Sequence, residues 1–401
     1  MVTQQQTLIL ERILPAAPAE IFRNFTKAQA LRQWSCDAAE VDARPGGRVY
    51  LWWNVGYYAS GIFTEVVPGA RLAFSWQGRG EPGETVVQVA CAAHPAGTAV
   101  TITHGGLGND AAWTAAAQQI RRGWETALEN LQGLLETGVD QRIARRPMFG
   151  LSGGDELTAE LAAQLGVPVT AGIRIAGLLA EMGAAQAGLQ KDDVVVSVGG
   201  HALTTWPSFA AAMQAHRAGD QVSVIFYRGP ERHTVAITLS RRPQQEVPAT
   251  AGALAVQARA IYATLDQELA ACFAGVPEEA AGRRPAPEEW SAKEVVAHLI
   301  ACERDMQYML SEDIEDADVE QAFRANAWPR VQGLVAAYPR SRLLLEELSR
   351  NEAATVAMIE LLPVAVAARK DVLHRLGIWA AGDALEHARE HCAEIRRALL
   401  A

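Results

Sequence analysis

The chain has 401 residues, 49% of them hydrophobic and 20% charged, with a formal net charge of -10 at pH 7. That length exceeds what one hydrophobic core holds, so two or three domains are expected. The acidic balance, with no basic stripe to offset it, excludes a protein whose main task is to neutralise nucleic-acid phosphates.

The opening segment, MVTQQQTLILERILPAAP, has no basic region followed by an apolar run, and the longest later run, LLPVAVAA at 361–368, is far short of a membrane span. A soluble, cytoplasmic protein without a membrane partner is expected. Cys36, Cys91, Cys272, Cys302 and Cys392 form no C-x-x-C and no even framework, which fits a reducing compartment where free cysteine packs as a small apolar residue.

The first 140 residues hold six of the ten tryptophans. The stretches GGRVYLWWNV, YYASGIFTEVV, RLAFSWQ, ETVVQVACAA and TAVTITHGG alternate or run apolar between Gly and Pro turns, which predicts an antiparallel sheet. A helix of roughly 40 Å is predicted from Asn109 to Glu136. Its apolar stripe is Trp113, Ala117, Ile120, Trp124, Ala127, Leu131 and Leu134. A curved sheet gripping such a helix leaves a cavity between them. Trp34, Trp52, Trp53, Tyr57, Tyr58 and Trp76 are the aromatic side chains available to line it, and the same spacing serves a plain core. Adjacent Trp52 and Trp53 must point to opposite faces of their strand.

This segment resembles the START-like (SRPBCC) helix-grip superfamily, in the branch homologous to activators of the Hsp90 chaperone ATPase. The resemblance is carried by Pro45-Gly46-Gly47, GIFTEVVPGARLAFSW at 61–76, GTAVTITHGGL at 97–107 and GWETALENLQGLLETG at 123–138. It implies a helix-grip domain over 1–140 that holds a small apolar ligand or a partner, with Trp34, Trp53, Tyr58, Trp76 and Trp124 at the cavity. It implies an activity only loosely, since fold does not set function; stress response is one expectation.

A polar linker, GVDQRIARRP at 138–147, leads to short strands with Gly turns, and a second, RRPQQEVPATAG at 241–252, leads out of them. Both are long enough to leave the flanking domains independent. The order MFGLSGGDELTAELAAQLGVP, AGIRIAGLLAEMGAAQAGLQKDDVVVSVGG, TTWPSFAAAMQAHRAGDQVSVIFYRG resembles a PDZ domain of the kind attached to HtrA-type proteases, over 146–243. That resemblance implies binding of a peptide or protein C-terminus, with Phe149, Gly150 and Leu151 at the carboxylate-binding loop, β-augmentation along the following strand, and Phe209 and Met213 on the opposite wall. The usual Pro-Gly-Asp turn is here Lys191-Asp192-Asp193 and lacks its glycine.

Everything after 252 reads as helix. EEWSAKEVVAHLIACERD carries His298, and GDALEHAREHCAEIRRAL carries His387 and His391 one turn apart on one helix face. The spacing alone is shared with ordinary helix histidines. If His298 comes from a neighbouring helix, the three imidazoles make a metal site with a position open to water or substrate. Residues 252–401 resemble the DinB-like four-helix bundle family, through the EEWSAKEVVAHL segment and the terminal His-x3-His helix. The resemblance implies a divalent ion, nickel, zinc or similar, held by His298, His387 and His391 and activating a low-molecular-weight thiol. Glu303 and Glu394 are candidates to orient the ligands, and Cys302 reads as core.

The expected architecture is a multidomain α+β chain: helix-grip antiparallel sheet with a long C-terminal helix, small β-rich PDZ, all-α bundle. Its expected function is a metal- and thiol-dependent transferase in the bundle, with no catalytic side chain legible. The alternative is a non-enzymatic adaptor or chaperone cofactor that binds client proteins through the first two domains.

Overall fold

The computed structural model describes residues 6–244, 246–317, 326–380 and 384–400. It is a multidomain α+β protein in two compact units, one made of residues 1–140 together with 245–401 and the other of residues 141–244.

The chain opens with β1 (Gln6–Leu14), α1 (Pro18–Thr26), α2 (Ala28–Trp34), β2 (Ala38–Val41), β3 (Arg48–Trp53), β4 (Tyr57–Val67), β5 (Arg71–Gly78), β6 (Thr85–His94), β7 (Gly97–Leu107) and α3 (Ala111–Thr137). The strands form one antiparallel sheet in the order β1-β7-β6-β5-β4-β3-β2. Strand β6 alternates buried and exposed residues along its length, the mark of a sheet with one face covered. What covers it is α3, which starts where the Asp110 side chain accepts from the Trp113 N–H and stops at Gly138, whose φ of 78° only glycine adopts at little cost. Ile120, Trp124, Leu128, Leu131 and Leu134 of the helix pack with Leu51, Phe63, Leu72, Trp76, Val89 and Ile102 of the sheet.

The second unit contains α4 (Gln141–Ala144), β8 (Leu151–Glu156), α5 (Ala159–Leu165), β9 (Ile173–Leu178), α6 (Gly183–Gln186), β10 (Val194–Val198), β11 (His201–Ala202), α7 (Trp206–Gln214), β12 (Gln221–Arg228) and β13 (Glu231–Thr238). Its sheet runs β13-β12-β10-β9-β8, with β11 on β10, so β8 is an edge strand. The turn that lacks its glycine keeps left-handed geometry: Asp192 has φ of 72° and pairs with Arg174 at 3.1 Å. Next to it, buried Asp193 receives two hydrogen bonds from Arg228, both at 2.8 Å, and one from the Gln190 N–H.

The remaining elements are α8 (Ala251–Cys272), α9 (Glu278–Gly282), α10 (Ala292–Glu315), α11 (Trp328–Ala337), α12 (Ser341–Glu360), α13 (Val364–Ala367), α14 (Lys370–Ile378) and α15 (Ala384–Leu400). Helices α8, α12, α10 and α15 close a ring in which each packs on the next. The ring encloses Leu254, Tyr262, Leu310, Val356 and Ile359 toward one end and Leu269, Val296, Ile300, Leu348 and Ile395 toward the other.

The linkers do not leave this bundle independent of the helix-grip domain. Helix α14 lies on α3, and the Lys370 ammonium donates to the Glu136 carbonyl at 2.6 Å. From α1 and its neighbour, Arg23 pairs with Asp316, Lys27 donates to the Asp316 carbonyl at 3.0 Å, and Gln29 donates to Asp313 at 3.3 Å. Linker length sets only how far a domain can wander; complementary charge on the facing helices decides whether it does.

Candidate metal centre

Helix α10 is pinned at its start by a capping box. The Ser291 hydroxyl accepts from the Glu294 N–H at 3.3 Å and the Glu294 carboxylate accepts from the Ser291 N–H at 2.8 Å. Arg284 and Gln332 also donate to Glu294, at 2.7 and 2.5 Å, and hold its carboxyl below the ordinary range against the opposing effect of burial. His298 and Cys302 follow one turn apart on the same helix, and His387 and His391 stand one turn apart on α15, which packs against α10.

These two pairs face each other. The His298 ring centroid lies 5.5 Å from that of His387 and 4.9 Å from that of His391. The Nε2 atoms of His387 and His391 are 3.0 Å apart, and Cys302 Sγ is 3.4 Å from His298 Nε2. Ligand atoms of His298, Cys302 and His387 all fall within 4.8 Å of one another.

Proton placement follows from the neighbours. The Glu394 carboxylate lies 2.7 Å from His391 Nδ1 and can only accept, so Nδ1 carries the proton and Nε2 presents its lone pair toward His387. Burial, then the adjacent His391, keep His387 below the ordinary histidine range, which favours the neutral, ligating form. Burial pushes the Cys302 thiol up to about 12.

The donor set fits a borderline divalent ion. Tetrahedral nitrogen ligands at 2.0–2.1 Å from an ion sit roughly 3.3 Å apart, and the two Nε2 atoms need move only a few tenths of an ångström to reach that. The carboxylate on the far side of His391 is the arrangement that orients a ligating imidazole. Glu303 has other partners: the Tyr262 hydroxyl donates to it at 3.0 Å and so does that of Thr355, while burial pushes its carboxyl up to about 7. Cys302, read as core from the sequence, belongs to the cluster; the His-x3-Cys spacing was the signal that it shares a face with His298.

A cavity of about 40 Å³ opens beside this cluster, with Cys302 and His387 on one side and Tyr262, Glu303, Glu352 and Trp379 around the rest. The sequence reading named neither Glu352 nor Trp379.

In the PDZ-like unit, Phe149 is buried against Phe209 with ring centroids 5.5 Å apart, and Met213 is buried in the same core. Gly150 has φ of 103°, and a Cβ there would lie 2.5 Å from that of Met182, so only glycine fits. Leu151 begins edge strand β8, and α7 stands across from it. Trp206, which no pattern in the sequence marked, packs on Phe209 at 5.6 Å between ring centroids, and its backbone N–H donates to the Glu156 carboxylate at 2.7 Å.

In the helix-grip domain, Trp34, Trp76 and Trp124 are buried, and Trp53 turns inward to reach Tyr57 at 5.2 Å and Trp76 at 6.5 Å between centroids. Tyr58 does not line this interior. It lies opposite Trp52 in the β3/β4 register and is 39% exposed, because strand alternation gives the inner face to Tyr57. The inward groups close on a buried histidine: the Trp124 indole donates to His104 Nδ1 at 3.2 Å, which leaves the proton on Nε2 to meet the Thr85 hydroxyl at 2.7 Å.

Three family models match the chain: Activator of Hsp90 ATPase homolog 1-like protein over residues 15–136, PDZ domain over 160–239 and DinB superfamily over 260–394. Among curated proteins, a serine protease Do-like HtrA of Lactococcus lactis subsp. cremoris is 34% identical over 116 residues, 28% of this chain and 28% of that protein. A probable periplasmic serine protease do/HhoA-like of Haemophilus influenzae is 28% identical over 129 residues, 31% of this chain and 27% of that one. The chain therefore spans about a quarter of the length of the curated relatives it matches. Among solved structures, a protein of Mesorhizobium loti is 21% identical, covering 33% of this chain and 97% of that one at a TM-score of 0.30. An HSP90 activator from Plasmodium falciparum is 24% identical, covering 33% and 96%, at a TM-score of 0.28.

Proposed function

For a chain that carries an Hsp90-ATPase-activator-like domain, a PDZ domain and a DinB-superfamily domain, we propose a metal- and thiol-dependent transferase whose chemistry sits in the helical bundle. The domains run over 1–140, 146–243 and 252–401. His298, His387 and His391 would be the protein ligands, with Cys302 at a fourth position. A nickel, zinc or similar ion bound there supplies a lowered pKa to a thiol or water in that position. The observation that carries the reading is the meeting of two one-turn pairs from facing helices, with His391 oriented by Glu394.

In the reaction class proposed, the thiol sulfur forms a bond to an electrophilic carbon, the group on that carbon departs, and the thiol proton leaves with it or to solvent. The chain's own residues hold the ligand rings in place, exclude bulk water from the cavity and present the second substrate beside His387. The PDZ domain takes a peptide or protein C-terminus along β8. The helix-grip domain takes a small apolar ligand or a client. Among the described residues no helix is long and apolar enough to cross a membrane, and the five cysteines are free, which supports a reducing, cytoplasmic setting.

The test is metal per chain by elemental analysis, on protein purified without chelator or histidine tag. Near one divalent ion is expected, lost in His298→Ala and His387→Ala. Cobalt loading should add a near-ultraviolet thiolate band that Cys302→Ser removes. Negligible metal after incubation with nickel, zinc and manganese overturns the proposal and favours the adaptor alternative.

A further inference from the structure

Glu352, on α12, is buried, and its Oε2 has no hydrogen-bond partner. The charged side chains acting on it are Asp266 from α8, with which the Glu352 carboxyl shares a hydrogen bond, and Glu303 from α10, both acidic. Tyr262 of α8 and His387 of α15 line the cavity onto which it opens. A buried acid among acids, with one oxygen unsatisfied, lacks a positive partner. The remaining walls say what kind. Tyr262 and Trp379 set their rings edge to face at 5.8 Å, and Leu265 and Leu348 add hydrocarbon. A hydrated divalent ion requires several oxygen ligands; of the two carboxyls that line the cavity, Glu303 already accepts from the Tyr262 and Thr355 hydroxyls, and aromatic rings beside the remaining one, Glu352, suit an organic ammonium.

We infer that the substrate taken by the bundle cavity carries a protonated amine, bound at the Glu352 carboxylate beside Tyr262 and Trp379, with its reacting end toward Cys302 and His387. The orientation of the reacting end rests on the metal-site reading; the recognition of the amine does not. Burial and the two neighbouring carboxyls push Glu352 up to about 9, so the empty cavity holds a protonated acid at pH 7. Uptake of an ammonium then releases one proton, which keeps the charge of the site balanced.

The test titrates the full-length protein with ethylamine and with ethanol by calorimetry, in two buffers of different ionisation enthalpy. Ethylamine is expected to bind at least tenfold more tightly than ethanol, with about one proton released per amine, and the preference should vanish in Glu352→Gln. Equal affinities, a preference that survives Glu352→Gln, or a second divalent ion that depends on Glu352 overturns the inference. If the variant does not fold, proton release in the wild type decides. Elemental analysis of the same samples separates the two readings: an amine preference without metal leaves the cavity assignment standing and removes the metal centre. Cysteamine binding more tightly than 2-mercaptoethanol only when metal is present would support the stated orientation, and an equal advantage without metal would overturn it.

Discussion

Arg375 donates to both carboxylate oxygens of Asp313, at 2.6 and 2.8 Å, joining α14 to the end of α10. Asp313 also receives Gln29 from the helix-grip domain, and Arg375 reaches Asp371 at 3.1 Å. One buried carboxylate thus holds together two helices of the bundle and a helix of a domain more than 280 residues away in sequence. Asp313→Ala leaves a half-buried guanidinium without its main partner. A loss of about 2–3 kcal/mol is expected, less than for a fully buried pair because Arg375 keeps some water. Urea denaturation measures it, and replacing both partners with leucine should cost less than removing Asp313 alone.

Acid should weaken the helix-grip core through His104. Burial lowers this histidine to about 4, against 6.5 in an unfolded chain. The neutral form is the one the Trp124 and Thr85 bonds require, so its contribution is complete above pH 6.5 and is lost as pH falls toward 4. The loss should reach about 3 kcal/mol. His104→Gln should flatten the fall in stability over that window while starting from a lower value, as followed by tryptophan fluorescence during denaturation.

Glu352 predicts the opposite slope. Its folded value, pushed up to about 9 from 4.5, means that stability is full below pH 4.5 and declines as pH rises toward 9. Glu352→Gln copies the protonated acid and removes that decline. The variant should be more stable than the wild type at pH 7 by on the order of 2 kcal/mol, a gain usual where a binding site holds a group for function rather than stability. Melting curves from pH 5 to 9 check both the gain and its disappearance at low pH.

Peptide capture by the PDZ domain should depend on a free carboxylate. A fluorescent peptide with an apolar C-terminal residue is expected to bind, and its C-terminal amide to lose at least tenfold. Gly150→Ala forces a Cβ against Met182 at a positive φ, and should abolish binding while destabilising the domain by about 2 kcal/mol. Fluorescence anisotropy reads the first effect and thermal melting the second.

Much of this was legible along the chain because it is periodic. Alternation in ETVVQVACAA, the three-and-four spacing from Trp113 to Leu134 and the one-turn separation of His387 and His391 are local properties of a strand or a helix, which any tertiary arrangement must respect. Tyr58 shows the limit of that reasoning. Period two assigns Tyr57 and Tyr58 to opposite faces, but only the pairing with Trp52 and Trp53 says which face is inside.

The sequence by itself determined the order of three domains and the helix faces that carry His298, His387 and His391. Tertiary structure decided what those faces meet. Cys302 joined the histidines because α10 packs on α15. Glu352 came to the cavity from α12 and Trp379 from the residue that caps α14, because a bundle core is shared by all its helices. The helix-grip domain docked on the bundle through Asp313 and Asp316 because burial, which no local spacing encodes, sets which charges lose their water and must find one another.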